Sequence, residues 1–183
     1  MEDQCLRAAR QGDPAAFREL IELHAQAVWR VVHILIPDKT LAEDAVQETW
    51  LDIWRGLPQF DVSRPFRPWL LTIAANRCRK SLRRRALPII ALDSPEALNL
   101  ADEQDVAADL VRRETSAELT ALLAALPQEQ RRLLQLRYYA ALDLPEIALV
   151  LNVPLGTVKS RLHRAIQVVR TRLEEHLNLY PVE

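Results

Sequence analysis

Residues 126–173 read LPQEQRRLLQLRYYAALDLPEIALVLNVPLGTVKSRLHRAIQVVRTRL, and no other stretch constrains the fold as much. The pattern predicts a helix, a short helix, a tight turn and a long basic helix. Asp143 stands where an N-cap is wanted. Its carboxylate can accept from the unpaired N–H groups of the next turn, and Glu146 three residues on completes a capping-box pattern. Pro145 falls in the first turn, where a missing N–H costs nothing. Leu144, Ile147, Ala148 and Leu151 share one face of the short helix. Asn152 follows; Asn tolerates the left-handed conformation better than any residue except glycine, so it can make the turn. Val153 can anchor that turn and Pro154 starts the next helix. There Val158, Leu162, Ala165, Ile166, Val169 and Leu173 recur at steps of three and four as an inward stripe.

This is a helix-turn-helix pattern. The second helix of such a unit fits a DNA major groove, and its N-terminal residues reach base edges. Here those residues are Thr157, Lys159, Ser160, Arg161, His163 and Arg164, all hydrogen-bonding or cationic types, as base-edge and phosphate contact requires. The alternative for this segment alone is a helical hairpin with a solvated basic face.

Composition favours helix throughout. The 183 residues are 49% hydrophobic and include only 3 glycines, with Ala, Leu, Arg and Glu abundant. No alternating strand pattern stands out. No apolar run is long enough to span a bilayer, and the N-terminus is acidic and amphipathic rather than a signal peptide, so a cytoplasmic protein without membrane insertion is expected. Cys5 and Cys78 are far apart and in no metal-ligand spacing; neither a metal nor a cofactor is expected. The net charge of −1 hides an uneven distribution. Residues 1–86 and 116–183 carry a small basic excess, and residues 87–115 are strongly acidic. Local patches matter more than totals for nucleic-acid contact. The densest is Arg77, Arg79, Lys80, Arg83, Arg84 and Arg85.

The expected fold is all-α: an N-terminal helical bundle and a C-terminal helix-turn-helix domain joined by an acidic linker. A first helix begins near Asp3 and stops at Gly12. Asp13 caps a second, with Pro14 at its first position, that runs to Pro37. Thr40 and Glu43 form a capping-box pattern for a third helix ending near Gly56. A loop with Pro58, Asp61, Ser63 and Pro65 leads to a fourth helix over about Phe66 to Arg85, which ends before Pro88. The resulting division is 1–86, a linker at 87–105 where Pro88, Ser94 and Pro95 break the periodicity, and 106–183.

At these residues the chain resembles a known family, the minimal two-domain bacterial extracytoplasmic-function (ECF) sigma factors. LAEDAVQETWLDIWRGLPQFD followed by FRPWLLTIAANRCRKSLRRR is similar to the family's region two. LPQEQRRLLQLRYYAALDLPEIALVLNVPLGTVKSRLHRA is similar to its region four. The resemblance covers nearly the whole chain. It implies a dissociable promoter-recognition subunit of RNA polymerase that is not an enzyme. The N-terminal domain would dock on the clamp of the polymerase's largest subunit and open the minus-ten element. The C-terminal domain would bind the minus-thirty-five element and the flap of the second-largest subunit. The acidic linker would thread toward the RNA exit path. Promoter DNA and core polymerase are the implied partners, and an anti-sigma factor is a further candidate.

The resemblance also distributes roles among residues. Asp44, Gln47, Glu48 and Leu51 would form the core-polymerase-binding face, with Leu51 as apolar anchor. Asn76 would read a base turned out of the stack, since its acceptor and two donors suit a pairing edge. Arg77, Arg79, Lys80 and Arg83 would hold phosphates. The preceding loop would add Asp61, Ser63 and Arg64. Trp54 and Trp69 are assigned to the core. Arg131, Arg132 and Arg137 could hold phosphates or cover their own helix. The family usually has Gly and Ser where this chain has Ala141-Leu142-Asp143, and Gly where Asn152 stands; the substitutes are expected to do the same backbone work.

Two other readings are open to the residues alone. A free-standing helix-turn-helix regulator would explain the C-terminal half but leave Asp44, Gln47, Glu48 and the basic fourth helix without purpose. A metal-dependent nuclease would use Glu43, Asp44, Glu48 and Asp52, with His24 or His33, but no second acidic motif faces the first.

Overall fold

The computed structural model describes residues 2–85, 123 and 126–179, without the side chains of 85 and 175–179. Every regular element among the described residues is helical: α1 (Glu2–Arg10), α2 (Pro14–Leu35), α3 (Lys39–Gly56), a 3₁₀ turn (Leu57–Gln59), α4 (Phe66–Arg85), α5 (Gln128–Leu134), a π turn (Gln135–Tyr139), α6 (Leu144–Leu151) and α7 (Leu155–Leu179). The acidic linker expected at 87–105, and the helix expected to resume at Val106, lie outside the described residues.

Helices α1–α4 pack as one lobe. Gly12, at φ 92°, turns the chain after α1 in a conformation that suits glycine. Asp13 then caps α2, accepting from Ala15 N at 2.8 Å. The start of α3 differs from the expected Thr40/Glu43 capping box. The cap is Asp38, whose Oδ1 accepts from Leu41 N at 2.8 Å, and the helix begins at Lys39. Asp38 lies two residues before Thr40, so the helix gains residues by using it as the cap. Leu20, Val28, Val31, Val32, Ile53, Leu57, Leu70 and Leu71 are fully buried at the centre of the lobe. Each such side chain contributes about 1.5–3 kcal/mol through removal from water. Ala74, Ala75 and Cys78 keep the inward face of α4 narrow. A Cβ at Gly56 would lie 3.2 Å from the Trp69 ring, so glycine there lets the end of α3 approach α4 closely. Phe60, Phe66 and Trp69 form an aromatic cluster that ties the intervening loop to the start of α4.

The second lobe follows the sequence reading closely. Asp143 Oδ1 accepts from Glu146 N at 2.7 Å, and Glu146 Oε2 accepts from Asp143 N at 2.9 Å, so the capping box is complete. Asn152 is left-handed at φ 55° and turns the chain into α7. Ile147, Val150, Val158, Leu162 and Ala165 form its centre. Ile166 and Leu173, expected to be inward, are 38% and 39% exposed. Ile166 stands about 100° round the helix from buried Ala165, off the stripe, and Leu173 lies toward the far end of a helix much longer than α6. Ala141 also has positive φ, at 53°. It takes up the bend after the π turn without the freedom of a glycine.

Candidate nucleic-acid interface and docking face

Helix α3 sorts its residues by its period. Ala42, Ala45, Thr49 and Ile53 are buried, and Thr49 donates its hydroxyl to Ala45 O at 2.6 Å. The opposite side exposes Asp44, Gln47, Glu48 and Leu51, so the structure brings these four together on one face. Leu51 is 45% exposed, which leaves its side chain open to a partner. Beside it lies a shallow groove of about 510 Å³ lined by Phe17, Ile21, Gln47, Trp50, Leu51 and Trp54. Phe17 packs on Trp54 at 4.7 Å between ring centroids and edge-on to Trp50 at 6.2 Å. The sequence reading placed Trp54 in the core. Phe17, Trp50 and Trp54 are half-buried and floor the groove; the i, i+4 spacing of Trp50 and Trp54 beside Leu51 was the available signal.

Helix α4 carries the cationic residues in two directions. Asn76, Lys80, Arg83 and Arg84 are exposed, and Arg79 is half-buried. With Asn152 from the other lobe they line a cleft of about 690 Å³. A smaller hollow of about 310 Å³ opens on the other side of Asn76, between Asp52, Ile73, Arg77 and Lys80. Arg77 departs from the set. It is 9% exposed and turned toward α3, where its Nε donates to Asp52 Oδ2 at 2.8 Å, its Nη2 pairs with the same oxygen, and its Nη1 lies 3.4 Å from Glu48 Oε2. Its position three residues after buried Ala74 and seven after buried Leu70 puts it on the inward stripe.

The loop residues lie apart from Asn76. Asp61 Oδ1 accepts from Ser63 N at 3.0 Å and Ser63 Oγ at 2.7 Å, and Arg64 Nε lies 3.5 Å from Asp61 Oδ2. The two Ser63 donors hold the Asp61 carboxyl below its ordinary range. This exposed turn satisfies itself. Asn76 is ten residues into α4, about 15 Å along its axis from Phe66, and neither hollow beside it includes Asp61, Ser63 or Arg64.

On α7, Lys159, Ser160, His163 and Arg164 are exposed on one side and Thr157 is half-buried at its edge. Ser160 Oγ donates to Thr157 O at 3.1 Å. Arg161 points away from them, paired with Glu129 of α5 at 3.2 Å. Arg131 and Arg137 donate to Leu126 O and Leu142 O within their own lobe, at 3.1 and 2.9 Å. Burial of Arg132 lowers its pKa. Among the described residues no group of three or more His, Cys, Asp or Glu could hold a metal ion. His24 is buried beside Glu2 and Phe66, and burial depresses its pKa despite the Glu2 carboxylate at 3.3 Å. No helix of the described residues is long and apolar enough to cross a membrane.

Residues 20–87 match Sigma-70 region 2, and residues 116–168 match Sigma-70, region 4. Over 177 residues the chain is 34% identical to the ECF RNA polymerase sigma factor SigL of Mycobacterium tuberculosis (strain ATCC 25618 / H37Rv), covering 91% of this chain and 94% of that protein. It is 28% identical over 179 residues to the ECF RNA polymerase sigma factor SigW of Bacillus subtilis (strain 168), covering 93% and 95%. The sigma factor RpoE of Bartonella quintana, solved in complex with the anti-sigma factor NepR, shares the fold at a TM-score of 0.61 and 22% identity, over 86% of this chain and 96% of that one.

Proposed function

Because the chain belongs to the extracytoplasmic-function family of RNA polymerase sigma factors, we propose that its two lobes divide the work of promoter-specific initiation. The chain directs RNA polymerase to promoters. The first lobe docks on the clamp of the largest subunit through Asp44, Gln47, Glu48 and Leu51. Acidic side chains complement a basic partner helix, and Leu51 with the Phe17–Trp50–Trp54 groove takes its apolar residues. Helix α4 then captures the opened minus-ten strand. Asn76 offers an amide to a displaced base while Arg79, Lys80 and Arg83 hold phosphates. Arg77 positions α4 on α3 rather than meeting DNA. Asp61, Ser63 and Arg64, in the turn before α4, meet the strand at a point separate from Asn76.

The second lobe reads the minus-thirty-five duplex with Lys159, Ser160, His163 and Arg164, flanked by Thr157 and Arg161, and meets the flap of the second-largest subunit. The division runs at 1–86 and 106–183, with 87–105 as tether. No reaction belongs to the chain itself, and its place of action is the cytoplasm. An anti-sigma factor is a fitting partner, as the Bartonella relative has one.

One observation carries this reading. The chain exposes an acidic and apolar face on α3 and, separately, cationic faces on α4 and α7. A free-standing regulator needs only the last. The test is retention of the purified chain on core polymerase. Asp44→Arg with Leu51→Arg is expected to weaken retention at least tenfold while leaving duplex binding by α7 unchanged. Undiminished retention of that variant would defeat the assignment.

A further inference from the structure

Arg10, in the last turn of α1, does not serve its own helix. The carbonyls that end α1 already have backbone partners. Ala8 O accepts from Gln11 N at 3.0 Å and from Asp13 N at 3.2 Å, and Ala9 O accepts from Gly12 N at 3.0 Å. The Arg10 guanidinium crosses instead to the 3₁₀ turn after α3, where its Nε donates to Pro58 O at 3.2 Å, 48 residues away in sequence. Arg10 is exposed all the same. An arginine held at Nε still presents its Nη groups as a planar fork, the shape that takes a phosphate with paired hydrogen bonds.

That fork lies within electrostatic reach of the turn before α4. The Ser63 donors hold the Asp61 carboxyl low, and the positive charges of Arg64 and Arg10 act on it in the same direction. Two guanidiniums from different elements thus flank one carboxylate. Asp61 Oδ1 is already taken by Ser63 N and Oγ. Arg64 turns its Nε to Asp61 Oδ2 at 3.5 Å and leaves a side chain that is 78% exposed. The cluster keeps a positive excess, and Arg7, one turn before Arg10 and also exposed, adds to it. Glu2 and Asp3 stand at the opposite end of α1, and the Asp13 carboxylate faces the N-terminus of α2, which it caps. The support is rigid. Phe60 is 4% exposed and packs on Phe66 and Trp69, Phe60 N donates to Leu57 O at 3.0 Å, and Arg64 N donates to Asp61 O at 3.0 Å. A contact presented from a fixed turn loses little to ordering.

We propose that Arg10 is a further strand-holding residue of the first lobe, gripping with Arg64 a phosphate of the opened strand several nucleotides from the base at Asn76. This rests on the reading that the turn before α4 meets the strand. The turn joins α4 at Phe66, about 15 Å along the helix axis from Asn76. At 3.4 Å per stacked nucleotide that is about four linkages. Two such anchors fix the direction of the strand along α4 as well as its register, and they make α1 part of the nucleic-acid face.

The experiment uses holoenzyme assembled from the full chain and core polymerase. The probe is a promoter fragment that the chain selects in run-off transcription, premelted over its minus-ten element. Single linkages of each opened strand are replaced in turn by neutral methylphosphonate. Wild type is expected to lose up to about fivefold in affinity at the linkage facing Arg10, the range of an exposed ionic contact. With Arg10→Met, which keeps the stem and loses the charge, that linkage must become silent while those held by Lys80 and Arg83 stay sensitive. Arg10→Lys keeps the charge without the Nε donor to Pro58 O, and the linkage must stay sensitive. A scan of Arg10→Met that matches wild type overturns the contact. A linkage silent in the Lys variant too leaves Arg10 only the bracing of Pro58 and overturns it as well. Arg64→Met separates the premise from the proposal. If its scan matches wild type, the turn does not meet the strand and the underlying reading fails; if it silences a linkage that Arg10→Met leaves sensitive, the role of Arg10 alone fails. Both arginines are exposed, and equal helical content by circular dichroism confirms that the variants fold.

Discussion

Replacing Arg77 with Met separates two roles that the sequence alone left joined. Met keeps most of the apolar stem, so the packing of α4 on α3 is largely retained. The guanidinium is lost, leaving Asp52 and Glu48 without their shared cation. Breaking a fully buried pair costs about 3–5 kcal/mol, and an exposed one is worth about 0.2–1 kcal/mol. Arg77 is 9% exposed, but the carboxylate side chains are 30% and 49% exposed, so water can resolvate them. The expected loss lies between these limits, at about 2 kcal/mol. For a lobe of this size that lowers Tm by roughly 8–16 °C. Urea and thermal unfolding of the full chain measure it. DNA binding supplies the contrast: a phosphate contact removed would lower the salt slope by about one, whereas a positioning residue leaves it unchanged. Unaltered stability together with a reduced slope would refute the inward role of Arg77.

Ala141→Gly is expected to stabilise the second lobe by about 1 kcal/mol, because a left-handed residue with a Cβ is strained by about 1–2 kcal/mol; a lower Tm for the variant would contradict the strain at φ 53°. His24 has a pKa depressed from 6.5 by burial, so the unfolded chain takes up a proton before the folded one does. Stability is then complete above pH 6.5 and falls as pH drops from there toward the folded pKa, by at most about 1.4 kcal/mol per pH unit. Urea midpoints at stepped pH measure the slope, and His24→Asn should flatten it. Lys159→Ala and Arg164→Ala are each expected to weaken duplex binding by about 1–3 kcal/mol if they meet base edges, read by fluorescence anisotropy at fixed salt; unchanged affinity for both removes α7 from the groove.

The helix-turn-helix was legible because its punctuation is local. Asp143, Glu146 and Asn152 act within a few residues of themselves, and the structure places all three as their chemistry requires. The start of α3 was harder. Asp38 and Thr40 both suit a cap, and local pattern does not rank them without the packing of the first turn. Arg77 was assigned by its charge although its place in the helical period pointed inward; periodicity was the better guide. The π turn leaves no mark in the sequence, and the positive φ of Ala141 was legible only through the family's usual glycine in that turn, since no glycine of this chain announces it. Trp54 read as core because aromatic residues usually serve burial, and only the fold leaves one side of it open. The contact of Arg10 with Pro58 joins residues far apart in the chain, so no local pattern encodes it.

Run-off transcription with purified core polymerase and a pooled promoter library tests the division of labour most directly. Added chain is predicted to produce discrete start sites sharing an upstream duplex motif and a downstream melted one. Lys159→Ala/Arg164→Ala should abolish that selection while the variant still binds core, and Asp44→Arg/Leu51→Arg should abolish it by failing to bind. Transcripts no different from those of core polymerase alone would contradict the account.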